Sequence, residues 1–325
     1  MRRRLLPVLL VLATLAGCGG RAATASGKFE IVTAFYPLQF LSERIGGDVV
    51  SVTTLTKPGA EPHDVELTPR QVGDVAKAGL AVYIKGFQPA VDQAIALEAK
   101  DRAFNAASVV PLLELGDDDG GGDGEGGGDG EGGDDGDSGG DGEPGHEHEE
   151  AAGGEDPHVW LDPVRFATIA DRLAERLGQA DPAHAAGYTE RARGLRAELA
   201  ALNTEFTDGL KTCQRRELVT SHTAFAYLAN RYDLHQVGIT GISPEAEPTP
   251  QRLAAVAREA RATGTTTIYF ETLVSPAVAE TLAREVGART AVLDPLEGLV
   301  DQKADYFTVM RQNLTALTAG LGCEG

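Results

Sequence analysis

From Gly116 to Glu143 every residue is Gly, Asp, Glu or Ser. Such a tract has no apolar area to offset the entropy of ordering, so it is predicted to stay unfolded. It divides the chain into two parts, and both obey one pattern. Before the tract, Glu30–Thr33, Val49–Thr56 and Leu80–Tyr83 read as strands rich in β-branched residues. Between them Leu38, Leu41 and Ile45 recur at helical spacing, and Thr68-Pro69 opens a helix that ends at Ala78-Gly79. A further helix is expected over Pro89–Ala99. After the tract, strands at Glu217–Thr220, Leu234–Val237, Thr266–Phe270 and Thr290–Leu293 alternate with helices near 222–231, 249–262, 275–287 and 303–320. Alternation of this kind predicts an α/β protein with mostly parallel sheets covered by helices.

The two parts are joined by helices of a different character. Pro163–Leu177 forms one, and Asp181-Pro182 breaks it. Tyr188, Leu195, Leu199, Leu202, Phe206 and Leu210 then recur three and four residues apart, which predicts a helix approaching 30 residues. At 1.5 Å per residue it spans about 40 Å, the length of a strut between two lobes.

The N-terminus reads as an export signal. Arg2 to Arg4 are basic, Leu5 to Leu15 apolar, and Leu15-Ala16-Gly17-Cys18 matches a lipoprotein cleavage box. Residues 1–17 are expected to be removed, Cys18 acylated, and 18–28 to tether the fold to a membrane. The apolar run falls short of the roughly 20 residues a spanning helix needs. In an oxidising exported setting Cys213 and Cys323 are expected to pair.

The formal charge is −20, but residues 117–156 hold seventeen acids and no Lys or Arg, which leaves about −3 for the rest. Nucleic acid wants a basic surface, so it is excluded as a partner.

Of seven histidines, three sit where strands hand over to loops or helices: His63 in PGAEPHDVELTP, His158 in EDPHVWLDP and His222 in VTSHTAF. Ligands of open α/β sheets gather beyond the carboxyl ends of strands. Asp294 follows the strand Thr290–Leu293, and Asp156 and Asp162 flank His158 as candidates to orient its ring. Three imidazoles and one carboxylate suit a tetrahedral Zn²⁺. Taken singly, each histidine reads better as a satisfied surface or semi-buried group, and His184 and His235 keep that reading; it is the coincidence of three that points to a metal.

PGAEPHDVELTPRQV, DPHVWLDP, VTSHTAFAYLANRYDL, GISPEAEPTPQRL, IYFETLVSP and AVLDPL resemble, in order, the markers of the cluster A-I solute-binding proteins, the zinc- and manganese-binding (ZnuA/TroA-like) components of ABC transporters. The resemblance spans nearly the whole chain after the signal. It implies two lobes, each with a mostly parallel four-stranded sheet, joined by one long rigid helix. The corresponding division is 29–163 for the first lobe, 164–211 for a helix pair and 212–325 for the second. It implies one metal in the cleft on His63, His158, His222 and Asp294, and delivery of that metal to a membrane permease by an extracytoplasmic, lipid-anchored monomer that is not an enzyme.

His222 stands where manganese-binding relatives carry a carboxylate, which favours Zn²⁺ over Mn²⁺. Glu61 is an auxiliary candidate, although Pro62 separates it from His63 where some relatives have Glu directly before the histidine. The acidic tract, 116–155, lies where relatives carry a histidine-rich loop, so His146 and His148 become candidates for a weak mobile zinc trap. Three rival readings are a manganese receptor, a zinc hydrolase using Glu271 or Glu61 as base, and an adhesin. No HExxH helix supports the hydrolase.

Overall fold

The structure, a computed structural model, describes residues 27–114, 154–301 and 303–324. The signal segment, Cys18, His146 and His148 lie outside these residues. Two four-stranded sheets, parallel throughout, organise the described chain. The first contains β1 (Phe29–Thr33), β2 (Val50–Thr54), β3 (Leu80–Tyr83) and β4 (Ala103–Asn105) in the order β2-β1-β3-β4. α1 (Tyr36–Gly46), α2 (Pro69–Lys77) and α3 (Pro89–Glu98) make its crossovers. Consecutive residues Ile31, Val32 and Thr33 of β1, and Leu80, Ala81 and Val82 of β3, are all buried. Helices cover both faces of such a sheet, so its central strands do not alternate.

The second sheet repeats the plan with β5 (Glu217–Thr220), β6 (His235–Gly238), β7 (Thr267–Phe270) and β8 (Arg289–Val292) in the order β6-β5-β7-β8. α6 (Ala226–Arg231), α7 (Pro250–Ala262) and α8 (Ala277–Val286) connect these strands, and a C-terminal helix (Tyr306–Leu321) follows β8. The helix expected to open at Thr68-Pro69 does so, and other helices carry caps of the same kind. Thr68 and Gln71 close a capping box on α2, and Thr249 caps α7. Asp305 caps the C-terminal helix, which ends at Gly322 in the left-handed region. One strand is added to those read from composition, and one expectation is corrected. β4 is a three-residue strand with no β-branched residue, so the composition signal passed it over. The helix expected from 222 begins only at Ala226, because Ser221, His222 and Thr223 are held in a loop.

Between the sheets run the two linking helices (Pro163–Ala180 and Ala185–Leu210). In chain order they are α4 and α5, and the C-terminal helix is α9. Asp162 caps α4 by accepting the Val164 and Arg165 N–H groups. α5 is 26 residues long and buries Tyr188, Leu195, Leu199, Leu202, Phe206 and Leu210, the predicted stripe. It lies along α4 and touches α1 of the first lobe and α9 of the second.

The main core does not stop at the lobe boundary. It runs from Ile31, Phe35 and Trp160 through Leu199 and Phe206 to Tyr227 and Tyr306. A smaller cluster fills the space between β5, β7, α7 and α8. Hydrogen bonds also cross between the lobes. Tyr306 Oη donates to Trp160 O, and Tyr227 Oη to Asp156 O, both at 2.7 Å. Arg231 grips Asp162 through Nε and Nη2 at 3.0 and 2.7 Å. Cys213 and Cys323 form a disulfide that ties the end of α9 to the segment after α5. Among the described residues, no helix is long and apolar enough to cross a membrane.

Candidate metal centre

Each histidine is presented by a short fixed segment beyond a strand or before a helix. His63 lies in the loop between β2 and α2, and its backbone N–H donates to both carboxylate oxygens of Glu61 at 3.0 Å. Its ring rests edge-on against Phe87, 4.4 Å between centroids. His158 precedes a single 3-10 turn, Val159–Leu161, that leads into α4. His222 follows β5, and its carbonyl accepts from Thr220 Oγ1 and Gln236 Nε2 at 2.7 and 3.1 Å. Those two bonds keep the loop from joining α6.

All three rings turn Nε2 toward one atom. Glu297 Oε1 lies 3.4 Å from His63 Nε2, 3.2 Å from His158 Nε2 and 3.3 Å from His222 Nε2. The four residues are buried, and their ligand atoms lie within 4.8 Å of one another. A tetrahedron's edge is about 1.63 times its centre-to-vertex distance, so zinc bonds of about 2.0–2.1 Å require edges of about 3.3–3.4 Å. The three nitrogen–oxygen distances lie on or within about 0.1 Å of that range.

The far sides of two rings are fixed as well. His158 Nδ1 lies 2.8 Å from Asp156 Oδ1, and His222 Nδ1 lies 2.7 Å from Glu271 Oε1. A carboxylate only accepts, so each Nδ1 carries the proton and each Nε2 is left free for a cation. Glu271 also accepts from Ser221 Oγ at 2.8 Å. Acceptor nitrogens pointing at a carboxylate oxygen repel it unless a positive charge stands among them.

In the metal-free protein, protons supply that charge. Burial alone would push the His222 imidazolium down, but Glu297 and Glu271 outweigh it and raise the ring to about 10. His158 is raised in the same way, burial being outweighed by Asp156 and then Glu297. Burial would raise Glu297, yet the surrounding imidazoles hold it well below the usual carboxylate range. Glu297 Oε2 has no hydrogen-bond partner among the described residues. Glu297 also walls a groove of about 640 Å³ lined by Tyr36, Phe40 and Arg44 of α1.

The carboxylate that the structure places among the three imidazoles is that of Glu297, and the expected Asp294 lies outside the group. Asp294 folds back on its own turn: Oδ1 accepts the Leu296 N–H at 2.8 Å, and Oδ2 accepts from Thr272 Oγ1 at 2.9 Å. The sequence signal for Glu297 was an acid set among apolar residues, Leu296 before it and Gly298-Leu299-Val300 after it, where solvation gives no reason for a charge. Glu61 stands at the rim, its Oε1 4.0 Å from His63 Nε2, and burial raises its carboxyl. It is engaged by the His63 backbone and lies outside the group of four. Asp156 orients His158, whereas Asp162 caps α4 and pairs with Arg165 and Arg231. His184 and His235 are largely exposed and sit beside Asp181 and Glu217.

The chain matches the family model described as "ZnuA: Zinc-uptake complex component A periplasmic" over residues 31–320. It is 33% identical over 299 residues to the "Zinc-binding protein AdcA" of Streptococcus pyogenes serotype M6, covering 90% of this chain and 56% of that protein. The chain thus spans little more than half the length of that relative. It is also 33% identical over 327 residues to the "High-affinity zinc uptake system protein ZnuA" of Bacillus subtilis, covering 94% of this chain and 93% of the relative. Among solved structures, Zn(II)-bound AdcA from Streptococcus pneumoniae superimposes with a TM-score of 0.71 at 31% identity, covering 92% of this chain and 59% of that one. On the family match and the whole-length similarity together, the chain belongs to the ZnuA family of zinc-uptake complex components.

Proposed function

We propose that this chain captures Zn²⁺ between its lobes outside the cytoplasm and surrenders it to an ABC permease. The observation that carries the reading is the convergence of three imidazole nitrogens on Glu297 Oε1 at tetrahedral edge lengths, with all four residues buried. His63, His158, His222 and Glu297 are the four ligands. Three nitrogens and one carboxylate favour zinc over manganese, which suits sites richer in oxygen. Four protein ligands close the coordination sphere, whereas a hydrolytic zinc keeps a position open for water. That supports a receptor over an enzyme. Acylated Cys18 tethers the chain, and His146 and His148 supply a second, weaker zinc site. The relatives' names, zinc-binding protein and zinc uptake system protein, agree with the donor set.

Chelator-competition titration of the chain from residue 19 onward tests this. One tight zinc site is expected, with a weaker one that disappears when 117–155 are deleted. Substituting Glu297 or His222 by Ala should weaken the tight site by more than the roughly 10–100-fold typical of losing an orienting partner. Tighter binding of Mn²⁺ than Zn²⁺ would overturn the assignment.

A further inference from the structure

Leu296 adopts φ +61, in the left-handed region, although it is a branched side chain and fully buried. Leucine rarely holds that conformation unless its surroundings over-determine it, and such positions cluster at functional sites. The surroundings here do so from three directions. Asn313, from α9, brackets the Asp294 backbone: Asp294 N–H donates to Asn313 Oδ1 at 2.9 Å, and Asn313 Nδ2 donates to Asp294 O at 2.7 Å. Trp160 Nε1 donates to Pro295 O at 2.7 Å. The Asp294 carboxylate accepts the Leu296 N–H on one oxygen and Thr272 Oγ1 on the other. Every residue from Asp294 to Leu296 is therefore held, and the next residue is Glu297.

Asn313 is 2% exposed on a helix face that otherwise buries Val309, Met310 and Leu317. A buried amide in that setting is unfavourable unless both ends are bonded, and both ends bond one residue's backbone. The anchors also neighbour the histidine supports. Trp160 lies two residues past His158, and Thr272 directly follows Glu271, which orients His222.

We propose that Asn313, Trp160 and Asp294 are positioning residues that clamp the strained turn and set the Glu297 carboxylate against the three imidazoles. This rests on the reading of Glu297 as a zinc ligand. The clamp makes zinc affinity depend on residues that do not touch the ion.

A double-mutant cycle tests it, with zinc affinity from chelator competition and coordination from the visible spectrum of Co²⁺. Asn313→Leu keeps the branched shape and removes both bonds. It should weaken zinc by about 10–100-fold, the range for lost orienting partners, and shift the Co²⁺ spectrum toward that of Glu297→Ala. In a Glu297→Ala background it should add nothing. Trp160→Phe, which keeps a ring but loses the donor, should behave alike and carries the cycle if Asn313→Leu does not fold. Asp294→Asn, which retains an acceptor for Leu296 and a donor for Thr272, should recover most of the affinity that Asp294→Ala loses.

Equal losses in both backgrounds would show general destabilisation and overturn the clamp. So would wild-type affinity and spectra in folded Asn313→Leu and Trp160→Phe. If those variants are silent while Glu297→Ala weakens zinc, the clamp alone falls. If Glu297→Ala is itself silent, the ligand assignment falls with it.

Discussion

His222 holds a proton where the metal would sit, so its chemistry is a competition between two cations for one nitrogen. The folded ring is raised to about 10, whereas the unfolded chain leaves it near 6.5. A group raised on folding contributes stability that is complete below about pH 6.5 and is lost as pH climbs through about 10. Comparing melts of metal-free wild type and His222→Gln between pH 6.5 and 9.5 should show the wild-type advantage shrinking upward. Zinc binding carries the opposite sign, because the ion must displace the proton. Affinity should keep rising with pH well above 7, where ordinary histidines would already be neutral; a plateau from pH 7 upward would refute the raised ring. Glu271→Gln removes the charged acceptor that fixes the His222 ring, and is expected to weaken zinc by about 10–100-fold without changing the Co²⁺ coordination number.

Elements are where the sequence spoke most clearly, and where its silence has identifiable causes. The α5 stripe and the Thr68 cap were legible because they depend on local spacing and backbone chemistry. β4 was not, since three residues carry too little pattern to stand out. The three histidines were found by their place at the ends of elements. Asp294 was picked out for the same reason, being adjacent to a strand in sequence, but the turn uses its carboxylate on its own backbone, and Glu297 was passed over. Which of two nearby acids reaches the imidazoles is decided by the path of residues 294–297, and contacts from Asn313 and Trp160 fix that path. At this scale α5 should also be the stability element. Leu199→Ala, at a fully buried position facing the core, is expected to lower unfolding stability by about 2–5 kcal/mol in denaturant titrations. A loss below about 1 kcal/mol would mean that the helix is not packed as a strut.

For the whole molecule, the decisive fact is a main core that continues from one lobe into the other, with Tyr306, Tyr227 and Arg231 bonded across the divide. Opening such a structure by a wide hinge would expose buried apolar area and break those bonds together. Closure on zinc is therefore expected to be small and confined to the loops that carry the ligands. Scattering profiles with and without zinc should nearly superimpose, and a large change in radius of gyration would count against a shared core. The disulfide acts at the same scale, closing a loop of 110 residues. Reduction should lower stability by up to about 4.7 kcal/mol in the chain-entropy model, read as a drop in the melting temperature.

Trp160 is the chain's only tryptophan, and it stands 5.1 Å from the His158 ring with its indole N–H on Pro295. An imidazolium beside an indole quenches its emission, and a shift of the Glu297 turn would alter its hydrogen bond. The fold therefore carries an unlabelled optical reporter at the junction of its lobes, through which occupancy of the centre can be followed in real time in the unmodified protein.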